Sequence, residues 1–92
     1  MDSVLNTIFQ AVSKQYPETP FEVILWDGKI QKYGSGEPKF KLYLRSERAV
    51  KHIFKAGTLG FGEEYMDEGI RVEGDLQELV KMGDYWNEGR VS

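Results

Sequence analysis

Three stretches of the chain hold residue types whose spacing could do chemistry. The first is Gly57-Thr-Leu-Gly60-Phe-Gly62, which superficially resembles a phosphate-cradling loop. Such a loop needs its glycines between a strand and a helix, so that backbone N–H groups and the helix dipole meet the phosphate. Here a predicted helix precedes the glycines, the spacing is G-x-x-G-x-G, and no lysine follows in the required place. A helix stop with a tightly packed turn is the better reading, with Phe61, Tyr65 and Met66 packed and Gly60 and Gly62 allowing close approach. The second stretch is Glu63, Glu64, Asp67 and Glu68. A divalent ion wants convergent oxygens completed by carbonyls or water, and nothing here follows an EF-hand loop. A solvated acidic face fits better. The third is His52, the only histidine, whose neighbours Lys51 and Ile53 offer neither nucleophile nor orienting carboxylate. It reads as helix surface, so no catalytic or metal-binding residue is assigned.

The elements that must position these residues can be read from hydrophobic period. Val4, Leu5, Ile8, Phe9 and Val12 form a helix stripe beginning near Asp2 or Ser3, and Pro17 and Pro20 end it. Phe21–Trp26 and Lys29–Tyr33 flank Asp27-Gly28, a strong tight-turn pair, and predict a hairpin. In Lys39–Arg45, Phe40, Leu42 and Leu44 alternate with charged residues and Tyr43, as a strand with one wet face does. These make three consecutive antiparallel strands. Ser46 caps a helix carrying Ala49, Val50, Ile53 and Phe54, closed by Gly57. Residues 58–67 make a second short helical stretch, Ile70–Glu73 a brief strand, and Asp75 with Glu78 starts a helix with Leu76, Leu79 and Val80. From Gly83 the pattern thins. The expectation is one α+β domain over residues 1–92, an antiparallel sheet covered by helices with Phe40, Leu42, Leu44, Ile70 and Val72 facing inward.

Composition bounds what such a domain can be. The chain has 92 residues, 40% hydrophobic and 13% aromatic, with a net charge of only −3, a folding rather than a disordered composition. It has no cysteine, which excludes disulfides, zinc–thiolate sites and a cysteine nucleophile. No signal peptide or long apolar run is present, so the expected location is cytoplasmic. The charge is unevenly spread. Residues 29–55 hold eight bases against two acids, while the flanking segments are acidic. Within the basic segment, Arg48, Lys51, His52 and Lys55 fall on one helix stripe, beside the strand residues Lys39, Lys41 and Arg45. A cationic surface of this kind suits anionic lipid headgroups. Nucleic acid fits less well, because the whole chain is acidic and its aromatics sit at apolar-face positions.

Three segments taken together resemble one family: Phe21-Glu-Val-Ile-Leu-Trp26-Asp-Gly28, Tyr33-Gly-Ser-Gly-Glu-Pro38-Lys-Phe40, and the run from Leu59-Gly-Phe-Gly62-Glu-Glu-Tyr65-Met to Gly74-Asp75-Leu76. They follow one another as in the amino-terminal domain of cyclopropane-fatty-acyl-phospholipid synthases. The similarity runs from about Phe21 to Val80, and its most specific part is the G-E-x-Y-M…G-D-L run. The resemblance implies a sterol-carrier-protein-like fold. It also implies a parent enzyme that uses S-adenosylmethionine to add a methylene across a cis double bond of a phospholipid acyl chain. The cofactor and active site of that family lie in a following methyltransferase domain, and this sequence has no strand–G-x-G-x-x-G–helix unit. No catalytic or cofactor-binding residue therefore carries over. The implied role is accessory, engaging lipid and positioning substrate for a methyltransferase domain in cis or trans, at a membrane surface. A freestanding lipid carrier or a structural interaction domain is the alternative.

Overall fold

The computed structural model describes residues 2–87. Its elements run α1 (Asp2–Gln15), β1 (Phe21–Ile24), β2 (Ile30–Tyr33), β3 (Phe40–Leu44), α2 (Glu47–Met66), β4 (Ile70–Gly74) and α3 (Leu76–Asn87). The fold is α+β, with four strands in the order β2-β1-β3-β4 and the helices on one face. Of the tail that begins at Gly83, the part beyond Asn87 lies outside the described residues.

The sheet departs from three antiparallel strands in a row. β1 pairs antiparallel with β2 but parallel with β3, which pairs antiparallel with β4. Residues 34–39 carry the chain past the start of β1, where Lys39 N–H donates to the Pro20 carbonyl at 2.7 Å. Gly34 makes this crossing possible. Its φ is +76°, and a Cβ there would lie 2.9 Å from Pro20 Cα. The physical reason for the order is composition. Phe21-Glu-Val-Ile-Leu25 buries its odd-numbered residues best in the sheet's interior, whereas Ile30-Gln-Lys-Tyr33 suits an edge, where Lys32 discourages further pairing. The register sets Tyr33 and Phe40 on either side of Phe21. The three rings stack, with centroids 5.0 and 5.1 Å apart.

The hairpin turn also differs in detail. Leu25 pairs with Lys29, and the Leu25 carbonyl accepts from Gly28 N–H at 2.9 Å, leaving a three-residue loop. Only Gly28 has positive φ, so Asp27 is spared the left-handed conformation that a two-residue turn would impose on it.

The inward set is as expected: Phe40, Leu42, Leu44 and Ile70 are buried, and Val72 is half-buried against them. Leu5 and Val12 of α1, Val50 of α2 and Met82 of α3 complete the core. Ser46 Oγ accepts from Ala49 N–H at 3.0 Å, and Asp75 Oδ1 accepts from Gln77 and Glu78 N–H, so both expected caps form. Among the described residues, no helix is long and apolar enough to cross a membrane.

Candidate functional site: an apolar cavity beside a buried carboxylate

α2 holds the geometry that matters. Gly57, at φ 59° and ψ −134°, interrupts it between segments 47–56 and 58–66. In an unbroken helix, residues twelve apart would be displaced by roughly 18 Å along the axis. Yet His52 Nδ1 lies 2.5 Å from Glu64 Oε2, and the Arg48 guanidinium donates to both Glu64 oxygens at 2.9 and 3.1 Å. The second segment therefore folds back along the first. Gly60 permits the approach, since a Cβ there would lie 2.7 Å from the His52 carbonyl oxygen. Gly69 does the same for the Glu64 carboxylate, which sits directly against its Cα.

Glu64 is only 2% exposed. A buried carboxylate needs paired charge and hydrogen bonds, and this one has both. The Arg48 hydrogen bonds foremost, then that of His52, hold its carboxyl below the usual range. His52 Nε2 lies 3.1 Å from Glu63 Oε1, so each ring nitrogen faces a carboxylate.

On the other side of the same corner lies a cavity of about 210 Å³. Phe21, Phe40, Leu42 and Leu44 floor it from the sheet, Val50, Ile53, Phe54 and Phe61 wall it from α2, and Leu79, Val80 and Met82 close it from α3. Among the described residues, every lining side chain apart from the Thr58 hydroxyl is apolar. Phe54, Thr58 and Val80 both line the cavity and reach solvent, so the mouth opens between α2 and α3. A model of one protein family matches residues 5–89 of the chain and thus takes in the sheet, the corner and every residue that lines this cavity. The chain belongs to that family, a domain of unknown function (DUF7884). No curated protein matches it.

Within this DUF7884 domain the sequence-predicted residues fall in several places. The six basic residues do not form one surface. Lys41 lies on the sheet face turned away from the helices, in register with Glu22 and Glu73, and exposed Lys39 and Arg45 flank β3. Arg48, Lys51 and Lys55 are on the helix side, where Arg48 is committed to Glu64 and Lys51 to Glu47 at 3.1 Å. Alternation along β3 sends its bases away from the layer in which α2 sits, which splits the set.

The stretch from Gly60 to Met66 is helix rather than a packed loop. Gly60 is buried and Phe61 half-buried against the core, but Tyr65 is 45% and Met66 83% exposed. Gly62 has open space where a Cβ would sit. Helical period explains the correction: with Gly60 and Glu64 turned inward, residues 62, 65 and 66 point outward. Glu64 in turn leaves the solvated acidic face expected of it, and His52 is a partner in a charge cluster rather than plain surface. Two donor residues four apart, Arg48 and His52, followed by a glycine break and an acidic pair, were the available signal.

Proposed function

We propose that this domain engages lipid without transforming it, taking the end of one acyl chain into the cavity. In this reading it is the accessory domain of a cyclopropane-fatty-acyl-phospholipid synthase-like, S-adenosylmethionine-dependent methyltransferase. The observation that carries the proposal is the cavity itself, apolar among the described residues except for the Thr58 hydroxyl at its mouth and open to solvent there. An apolar cavity of about 150 Å³ accepts benzene, whereas sites for whole drug-sized ligands take about 300–1,000 Å³. The volume here lies between, which suits a short run of methylenes with the headgroup left outside. The resemblance of Phe21–Gly28, Tyr33–Phe40 and Leu59–Leu76 to that synthase family supplies the substrate class. Phospholipid at a membrane surface is then the partner, with a methyltransferase domain in cis or trans supplying the chemistry.

S-adenosylmethionine is assigned no residue of this chain. The glycine stretch 57–62 lies within α2, at its break and in its second segment, and not between a strand and a helix as a nucleotide loop does. The chain alone is expected to yield no cyclopropanated or methylated lipid from S-adenosylmethionine and an unsaturated phospholipid; product would overturn the accessory role.

A fluorescent fatty acid titrated into the protein tests the cavity. Saturable binding is expected, and Thr58→Trp, which plugs the mouth from a solvent-exposed position, should abolish it while the fold persists. Binding unchanged by Thr58→Trp would place the ligand elsewhere. Absence of binding by the parent chain would favour a structural interaction domain, whereas release to acceptor vesicles without any partner would favour a freestanding carrier.

A further inference from the structure

The corner of α2 couples the buried charge cluster to the cavity, because each joins the same two segments. Ile53 and Phe54 of the first segment and Thr58 and Phe61 of the second line the cavity on either side of Gly57. Arg48 and His52 of the first segment grip Glu64 of the second on the far side of the corner. The second segment has little else to hold it. Its described side chains at 59, 63, 65 and 66 are exposed, and Gly60 and Gly62 contribute no side-chain area. Besides the backbone crossing at Gly60, the half-buried Phe61 and the continuation through Gly69 into β4, its attachment among the described side chains is the Glu64 cluster, with Glu63 and Asp67 the further charged groups facing Arg48 and His52.

We propose that Arg48, His52 and Glu64 form a latch that holds segment 58–66 down and thereby closes one wall of the cavity. Opening the latch swings Thr58 and Phe61 away about Gly57 and widens the mouth. This rests on the acyl-chain reading for the ligand, but not for the motion. Gly57 suits a pivot, since its backbone already lies where only glycine is comfortable. The cluster suits a latch, since a charge-assisted, bidentate guanidinium–carboxylate pair is strong when closed and its loss leaves a buried charge unpaired.

Backbone hydrogen exchange of the full chain, with Glu64→Gln and His52→Ala, decides the matter. Removing one charge-assisted hydrogen bond should raise exchange in 58–66 by roughly tenfold, with β1, β3 and α1 unchanged. Uptake of the fluorescent fatty acid, followed by stopped flow, should quicken by a similar factor while the number of sites stays at one. If Glu64→Gln fails to fold, His52→Ala carries the same comparison, because it removes one donor and leaves the Arg48–Glu64 pair in place. A rise spread evenly over the protein, or no rise in 58–66, overturns the latch. So does faster exchange without faster uptake by a chain that binds the fatty acid. Failure of the parent chain to bind the fatty acid would sink the acyl-chain reading instead, and the pattern of exchange would still decide the latch.

Discussion

Glu64 shows how much one side chain can decide. Its carboxyl is held below the ordinary range by Arg48 and then His52, so the folded state binds its proton less readily than the unfolded chain does. The stability this contributes is present above the unfolded carboxylate pKa and is lost as pH falls through the lower folded value. Denaturant midpoints measured downward from neutral pH into the acid range should therefore fall more steeply for the parent protein than for Glu64→Gln, and parallel curves would refute the linkage. Two neighbouring glycines make a second comparison. Gly62 sits in a helix with open space around it, so Gly62→Ala should stabilise by about 0.5–1 kcal/mol through backbone entropy. Gly60→Ala drives a methyl into the His52 carbonyl and should destabilise by about 1–3 kcal/mol. Thermal unfolding of the two variants reads both signs, and equal effects would mean the segments do not cross at Gly60.

At the level of elements, the corner in α2 and the strand order are the features that create the site. Gly57→Ala should cost about 1–3 kcal/mol, because φ 59° with ψ −134° is strained for any residue with a Cβ; an unchanged urea midpoint would show that the corner can be made another way. Much of this level was legible in the chain. The capping residues Ser46 and Asp75, the stop at Gly57 and the alternation in Phe40–Leu44 each express local physics that a sequence displays directly. The parallel β1–β3 pair was not, since adjacent strands default to a meander and only the polar character of Ile30–Tyr33 marks it as an edge. Nor was the return of segment 58–66 onto 47–56. A glycine announces a break, but the direction taken afterwards depends on Glu64 finding Arg48 and His52, sixteen and twelve residues earlier. The cavity was illegible for a related reason. Its lining comes from all three helices and the sheet, and most of the contributing residues read simply as core.

For the whole molecule, two layers with a mouth on the helix side restrict how a lipid surface can be met. The mouth lies on the helix side, between Phe54, Thr58 and Val80, while Lys41 is on the opposite, sheet side. A domain that passes an acyl chain inward must turn the helix side to the bilayer, so the six bases cannot all contribute. Lys51 lies one turn before Phe54 at the mouth, and Lys55 one turn after Lys51 on the same helix face. They are the cations placed to meet anionic headgroups. Each cation near such a surface is worth about 1 kcal/mol, screened beyond roughly 8 Å at physiological salt. Co-sedimentation with anionic vesicles at low salt should thus weaken by roughly tenfold or more for Lys51→Ala with Lys55→Ala, and the difference should shrink as salt rises. Lys39→Ala with Lys41→Ala should change binding little. Arg48 is left intact in this test, because removing it would break the Glu64 cluster and confound docking with folding. The opposite outcome, loss through Lys39 and Lys41 alone, would put the sheet face against the membrane and leave the mouth pointing away from it. Acyl-chain capture through that mouth would then be untenable.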